Sequence, residues 1–156
     1  MGKTISEYHH VLVPVSGGKA DAHALKIVSR LIAPKEADVT AVYVIEVMQS
    51  LPLDAELPEE IERGEKALES AEQVARNYCH SRDDFFSTDL LQARAAGPAI
   101  VDEALDRKCD LIVLTSACRQ LHGKKNVSET VSYVLKHAQC EVMLLSVPGS
   151  ADMCEV

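Results

Sequence analysis

The sequence predicts a single α/β domain built on a parallel β-sheet, and three observations lead to that prediction. Short apolar segments alternate with amphipathic segments of about ten or more residues, which is the pattern of repeated β-α-β units. The segment 39–47, VTAVYVIEV, is rich in β-branched residues and almost continuously apolar, as central parallel strands are. The chain has 156 residues, which suits one domain with a sizeable core.

The first half of the chain predicts three strands and two helices. HHVLVPV, 9–15, is a buried strand that Ser16-Gly17-Gly18 ends, and the helix of 19–33 carries an apolar stripe. After the strand 39–47 and a connection with two prolines, Pro58 begins a helix that runs to about Tyr78. The third strand, 87–95, is more polar than the others, which favours an edge position in the sheet.

The second half adds two helices and two strands. These are a helix from Gly97-Pro98 to 108, the strand DLIVLTS at 110–116, a helix over 127–138 and the strand EVMLLSV at 141–147. We expect residues 1–148 to form one domain and 149–156 to form a polar tail. Right-handed crossovers place helices on both faces of a doubly wound five-stranded sheet, whose usual strand order here is 3-2-1-4-5.

Composition and charge argue against several classes of protein. The net charge of −8 and the absence of Trp disfavour a nucleic-acid surface, which needs clustered basic side chains and aromatic rings for stacking. No apolar run is long enough for membrane insertion, and MGKTISE lacks the apolar core of a signal peptide. The five cysteines form no C-x-x-C pair and are expected to be reduced thiols. We therefore expect a cytoplasmic protein.

Ligands of such sheets bind outside the carboxyl ends of the strands, where the strand order reverses. Two segments reach that edge: PVSGG after the first strand and TSACRQLHGKKN after the fourth. The N–H groups of Ser16, Gly17 and Gly18 could form a small anion-binding nest. Arg119 and the pair Lys124-Lys125 bring positive charge to the second segment. The sequence therefore predicts that an anion, if one binds, lies between these two segments.

Residues along essentially the whole chain resemble the universal stress protein family. The resemblance rests on HVLVPVSGGKADAHAL, AVYVIE, AGPAIVDEA, DLIVLTSACRQ and, most specifically, ETVSYVLKHAQCEVMLL. It implies the adenine nucleotide alpha hydrolase-like form of the fold, with a regulatory or protective role through dimerisation and partner binding. LPLDAELPEEIERGEKALE also resembles a branch found fused to amino-acid permease-type transporters, so a transporter is one implied partner.

The resemblance also implies where a nucleotide would lie, and the residues found there depart from the family's pattern. Nucleotide-binding members carry G-x2-G-x9-G-(S/T) after the fourth strand. Those four positions hold Thr115, Cys118, Ser128 and Glu129. Ser16 replaces an aspartate beside the adenine, and Val44 holds the position whose backbone meets the adenine. The candidate site is completed by three neighbours, Pro14, Arg119 and Thr130.

These departures predict weak nucleotide binding. Side chains at glycine positions obstruct the close approach of backbone N–H groups to phosphate, and Glu129 puts a competing negative charge at a helix start. We expect no tightly bound cofactor, with ATP or AMP binding only at low affinity. The alternative that the chain is a nucleotide-binding member or a nucleotide hydrolase stays open.

A thiol enzyme using Cys118 beside Arg119 and His122 is a further alternative. We interpret Cys118 as an ordinary loop cysteine, because no acid is fixed by spacing to orient the histidine. We assign no catalytic residue and no metal ligand. Cys109 and Cys140 each precede an apolar strand and are interpreted as small residues at the edge of the core.

The fifth strand lies at the end of the predicted sheet. Its residues from Val142 to Val147 include no charge and no proline that would prevent pairing with another chain. Twofold symmetry allows the same strand of two subunits to pair in antiparallel fashion. We predict a homodimer through residues 142–147.

Overall fold

Strands and helices alternate along the chain, as the sequence predicts. A computed structural model describes residues 8–32, 36–78, 84–116, 120–121, 124–125 and 129–146. The elements are β1 (His10–Pro14), α1 (Lys19–Leu31), β2 (Asp38–Glu46), α2 (Pro58–Tyr78), β3 (Phe86–Ala93), α3 (Ala96–Asp106), β4 (Leu111–Ser116), β5 (Gln120–Leu121), β6 (Lys124–Lys125), α4 (Glu129–His137) and β7 (Glu141–Ser146).

The main sheet has five parallel strands in the order β3-β2-β1-β4-β7. This confirms the predicted order 3-2-1-4-5, because β5 and β6 pair with each other in a separate antiparallel ladder. Val11 pairs with Val39 on one side and with Leu111 on the other, so β1 is central. The more polar β3 is an edge strand, as its composition predicts, and β7 is the other edge.

Alternate residues of the central strands point to opposite faces, and each face has its own core. Val11 and Val13 pack in one cluster with residues of α1 and α2, whereas Leu12 packs in a second cluster with residues of α3 and α4. Helices on both faces confirm the doubly wound architecture. Cys109 and Cys140 are half-buried against the second cluster, which agrees with their predicted place at the edge of the core.

Two glycines allow helices to approach their neighbours closely. A Cβ atom at Gly64 in α2 would clash with the side chains of Leu90 and Tyr43. A Cβ atom at Gly97 in α3 would lie 2.8 Å from the Cβ atom of Tyr133 in α4. The absence of a side chain at these positions therefore sets how α2 sits on the sheet and how α3 sits against α4.

Several element boundaries differ from the predictions by a few residues. α3 begins at Ala96 rather than Gly97, and the segment predicted as a loop contains β5 and β6. Residues 127–128, Val147 and the tail 149–156 lie outside the described residues. Among the helices within the described ranges, none combines the length and the apolar character that a membrane span needs.

Candidate functional site

A cavity of about 280 Å³ opens at the carboxyl ends of β1, β2 and β4, beneath α3 and α4. It lies where the strand order reverses between β1 and β4, which is the ligand position that the sheet topology predicts. Much of its wall comes from the second core cluster and is apolar. The apolar lining includes Val42, Val44, Ile100, Leu114 and Val131. Such a wall suits a flat, weakly polar group of a small ligand.

Five of the nine predicted site residues line this cavity. They are Pro14, Ser16, Val44, Thr115 and Thr130. Glu129 is exposed and is the first residue of α4, directly before Thr130. Cys118, Arg119 and Ser128 lie outside the residues whose surroundings the structure describes. The structure thus brings together predicted residues from β1, β2, β4 and α4 that are far apart in the sequence.

The turn between β1 and α1 holds an acidic residue that the sequence analysis did not select. Asp21, in the first turn of α1, is only 8% exposed. Its carboxylate accepts hydrogen bonds from the N–H of Ser16 at 3.1 Å and from the N–H of Gly17 at 2.7 Å. Gly17 has a φ of +89°, a conformation that glycine adopts without strain.

These contacts correct the expectation of an anion-binding nest. Two of the N–H groups expected to face an external anion already bind a carboxylate of the same chain. The sequence contained one signal for this arrangement, because an acidic residue in the first turn of a helix that follows a Ser-Gly-Gly turn is well placed to accept such bonds. Burial raises the pKa of Asp21, and the hydrogen bonds from Ser16 and Gly17 oppose that rise.

Acidic side chains lie at and near the cavity. Glu46, at the end of β2, also lines the cavity, and Glu129 stands at the start of α4. Three carboxyl groups thus lie at or near the cavity. Glu46 is in its wall, Asp21 is in the adjoining β1–α1 turn, and Glu129 is at the start of α4. Ionised carboxylates repel an anion over distances comparable with the Debye length. In the ranges that the structure covers, no group of three or more His, Cys, Asp or Glu side chains is arranged to hold a metal ion.

Comparison with known proteins decides the family. A family model described as the universal stress protein family matches residues 7–146. The chain belongs to the universal stress protein family. Universal stress protein MJ0531 of Methanocaldococcus jannaschii is 25% identical over 147 residues, which cover 90% of this chain and 84% of that protein. The resemblance inferred from the sequence is therefore confirmed, whereas the permease-associated branch remains a prediction.

Solved structures of the family share the fold. A universal stress protein from Archaeoglobus fulgidus superimposes with a TM-score of 0.70 at 18% identity, covering 88% of this chain and 98% of that one. The Archaeoglobus fulgidus protein in complex with dAMP gives 0.66 at 17% identity, with 90% and 98% covered. A universal stress protein in complex with cAMP gives 0.65 at 16% identity, also with 90% and 98% covered.

Proposed function

We propose that this universal stress protein acts in the cytoplasm as a regulatory or protective homodimer through partner binding, and that its cavity binds nucleotides weakly. The hydrogen bonding of Asp21 carries the second part of the proposal. Because its carboxylate holds the N–H groups of Ser16 and Gly17, a phosphate would have to displace a buried acid to reach them. An exchange of one anion for another yields little net binding energy.

The walls of the cavity support the same conclusion. Thr115 stands at a position where nucleotide-binding members have glycine, and it lines the cavity. Its side chain keeps a phosphate away from the backbone of the β4 end. Glu129 competes with an incoming phosphate for the positive end of the α4 dipole, which is the usual attraction at a helix start.

Nucleotide binding is the second candidate function, and two observations favour it. The cavity has the size and the apolar wall expected of a small-molecule site. Structurally similar family members have been solved with dAMP and with cAMP. Since a monophosphate brings less negative charge than ATP to a site surrounded by carboxyl groups, AMP or cAMP would bind better than ATP if this candidate is right.

Calorimetry with Mg-ATP, AMP and cAMP separates the two candidates, together with chromatography of any nucleotide released on denaturing the purified protein. Co-purified nucleotide, or micromolar affinity for a monophosphate, would support the second candidate.

A designed variant tests the argument that side chains at the glycine positions obstruct the phosphate. It combines Thr115→Gly, Cys118→Gly, Ser128→Gly and Glu129→Ser. We expect this variant to bind ATP more tightly than the unmodified chain; unchanged affinity would mean that side chains at these positions are not what limits binding.

The edge strand β7 supports the proposed dimer. It pairs with β4 in the sheet, and Val142, Met143, Leu144 and Leu145 are all only half-buried, alternating between the two core clusters. Pairing with β7 of a second copy would cover these side chains and the outer backbone groups. Light scattering at tens of micromolar should give twice the monomer mass, since a dimer of about micromolar affinity persists there. A transporter as the partner remains a prediction.

A further inference from the structure

A second cavity lies at the opposite end of the sheet from the cavity at the carboxyl ends of β1, β2 and β4. Two cysteines line it. Its volume is about 180 Å³, and it sits where α3 and α4 end and the chain enters β4 and β7. Cys109 precedes β4 by two residues, and Cys140 directly precedes β7. Both are free thiols, both are half-buried, and both pack against the second core cluster.

The register of the sheet places the two thiols close together. Leu111 of β4 pairs with Glu141 of β7. Cys109 and Cys140 lie just before these paired residues, so they stand side by side where two adjacent strands, spaced about 4.8 Å apart, begin. This separation is in the range from which two cysteine side chains reach one another. The electrostatic effect of Cys140 on the pKa of Cys109 agrees with such closeness.

The backbone fixes Cys109 in place at some cost in strain. Lys108 has a φ of +55°, the one positive φ at a non-glycine position in the described residues. With this left-handed turn, the N–H of Cys109 donates a hydrogen bond to the carbonyl oxygen of Ala104 at 2.9 Å. The N–H of Lys108 donates to the carbonyl oxygen of Leu105 at 3.1 Å. This left-handed ending of α3 and its two hydrogen bonds hold the backbone of Cys109 in a defined position.

The surroundings of the pair disfavour negative charge. Val101, Ala104 and Ala138 form an apolar wall beside the thiols. The carboxyl ends of α3 and α4 both meet the cavity, and their dipoles present partial negative charge to it. Burial raises the pKa of both thiols, that of Cys109 to about 11. A ligand that leaves the pair uncharged therefore fits this site better than one that needs free thiolates.

The number of donor atoms available beside the two thiols limits further which ligand fits the site. Monovalent copper on two thiolates would carry a net negative charge, which the cavity disfavours. A divalent first-row ion such as Zn²⁺ would be neutralised by two thiolates but needs further donors, and no third His, Cys, Asp or Glu joins the pair among the residues described. The nearby carboxylate of Asp110 accepts hydrogen bonds from the N–H groups of His9 at 2.9 Å and His10 at 3.0 Å. Trivalent arsenic bound to one further group needs only two sulfurs.

We propose that Cys109 and Cys140 form a dithiol site for trivalent arsenicals. An uncharged arsenical with two hydroxyl groups condenses with the two thiols. Two As–O bonds break, two As–S bonds form, and the two thiol protons leave with the hydroxyls as two water molecules. Arsenic stays trivalent, neither sulfur is oxidised, and the adduct is as uncharged as the reactants. The remaining substituent on arsenic would face the mouth of the cavity beside Gln139, which is exposed.

The test uses the 156-residue chain with Cys79→Ser, Cys118→Ser and Cys154→Ser, so that Cys109 and Cys140 are its remaining cysteines. Phenylarsine oxide is the probe, and a phosphine that contains no thiol keeps the protein reduced. Intact mass should show one phenylarsenic group per chain in place of the two thiol hydrogens, whether the probe reacts as the oxide with release of one water or as its dihydroxy form with release of two. A dithiol competitor should remove it, whereas a monothiol at equal thiol concentration should not. Adding Cys109→Ser or Cys140→Ser should weaken binding by about 100-fold or more, because closing the second bond is intramolecular.

Three results would overturn the proposal: no adduct, two arsenic groups per chain, or single-cysteine variants that bind as tightly as the pair. A second measurement does not depend on variants that fold. In the unmodified protein, one equivalent of phenylarsine oxide should protect Cys109 and Cys140 together from prolonged maleimide labelling, read by peptide mass. Failure to protect both thiols together would contradict the assignment equally well.

Discussion

Replacing Asp21 probes both the stability and the ligand preference of the β1–α1 turn. Asp21→Ala removes the acceptor of the Ser16 and Gly17 N–H groups. Hydrogen bonds to a charged group contribute roughly 1.5–3 kcal/mol each, but both donors belong to exposed residues that water can reach. The burial of the carboxylate offsets part of the gain as well. We expect Asp21→Ala to lower the free energy of unfolding by about 1–3 kcal/mol in total.

Asp21→Asn should cost less, about 1 kcal/mol, since one acceptor oxygen remains. Its pH dependence has a definite sign. Because burial raises the pKa of Asp21, the folded chain holds this proton more readily than the unfolded chain does. The resulting stabilisation is complete below the unfolded-state pKa and is lost as pH rises through the folded-state pKa. Asparagine does not titrate, so the deficit of the Asn variant relative to wild type should grow as pH falls from 7 towards 4.

Urea unfolding followed by far-ultraviolet circular dichroism at several pH values measures these differences. Glu69→Ala is a matched control, because Glu69 is exposed on α2 and its removal changes the net charge by the same amount. Asp21→Ala, unlike this control, should also bind orthophosphate or AMP more tightly than wild type. The reasoning is refuted if Asp21→Ala is as stable as wild type, or if its anion affinity rises no more than that of the control.

Three further predictions concern other parts of the fold. Gly97→Ala should lower the free energy of unfolding by about 1–3 kcal/mol, measured in urea, because its Cβ atom would lie 2.8 Å from that of Tyr133; a neutral effect would mean that α4 shifts freely. Since burial raises the pKa of Cys109 to about 11, its alkylation at pH 8 should be roughly 100-fold slower than that of Cys118, which we predict titrates as an ordinary thiol. Alkylation rates measured against pH in single-cysteine variants test both thiols, and equal rates for Cys109 and Cys118 would contradict the prediction. Met143→Pro, which removes a backbone donor in β7, should give monomers or insoluble protein by light scattering, and a soluble dimer of unchanged affinity would rule out pairing through this edge.

Much of the fold follows from local features of the sequence. Pro58 and the helical periodicity after it give both ends of α2, and the polar residues of 87–95 place β3 at an edge. Such features depend on neighbours along the chain, which a single sequence contains. The α3 boundary differed by one residue because Ala96 already adopts helical geometry ahead of Gly97-Pro98.

The candidate sites depend on contacts that the sequence does not specify. The role of Asp21 requires the turn at Gly17 to fold its N–H groups back onto α1, which is a tertiary outcome. Cys109 and Cys140 come together only through the β4–β7 register, so their separate interpretation as edge-of-core residues was confirmed while their proximity was missed. Thr115 and Val44, in contrast, were placed by the resemblance to the universal stress protein family, and both line the cavity.

Titration calorimetry of the purified, nucleotide-free protein with Mg-ATP tests most directly the claim that the cavity binds nucleotides weakly. Asp21 is bound to the turn, Thr115 is in the cavity wall and Glu129 is at the start of α4. We therefore predict a dissociation constant larger than about 0.1 mM, so the standard free energy of binding should be no more favourable than roughly −5 kcal/mol. A saturable isotherm with a dissociation constant of about 1 μM would contradict the account.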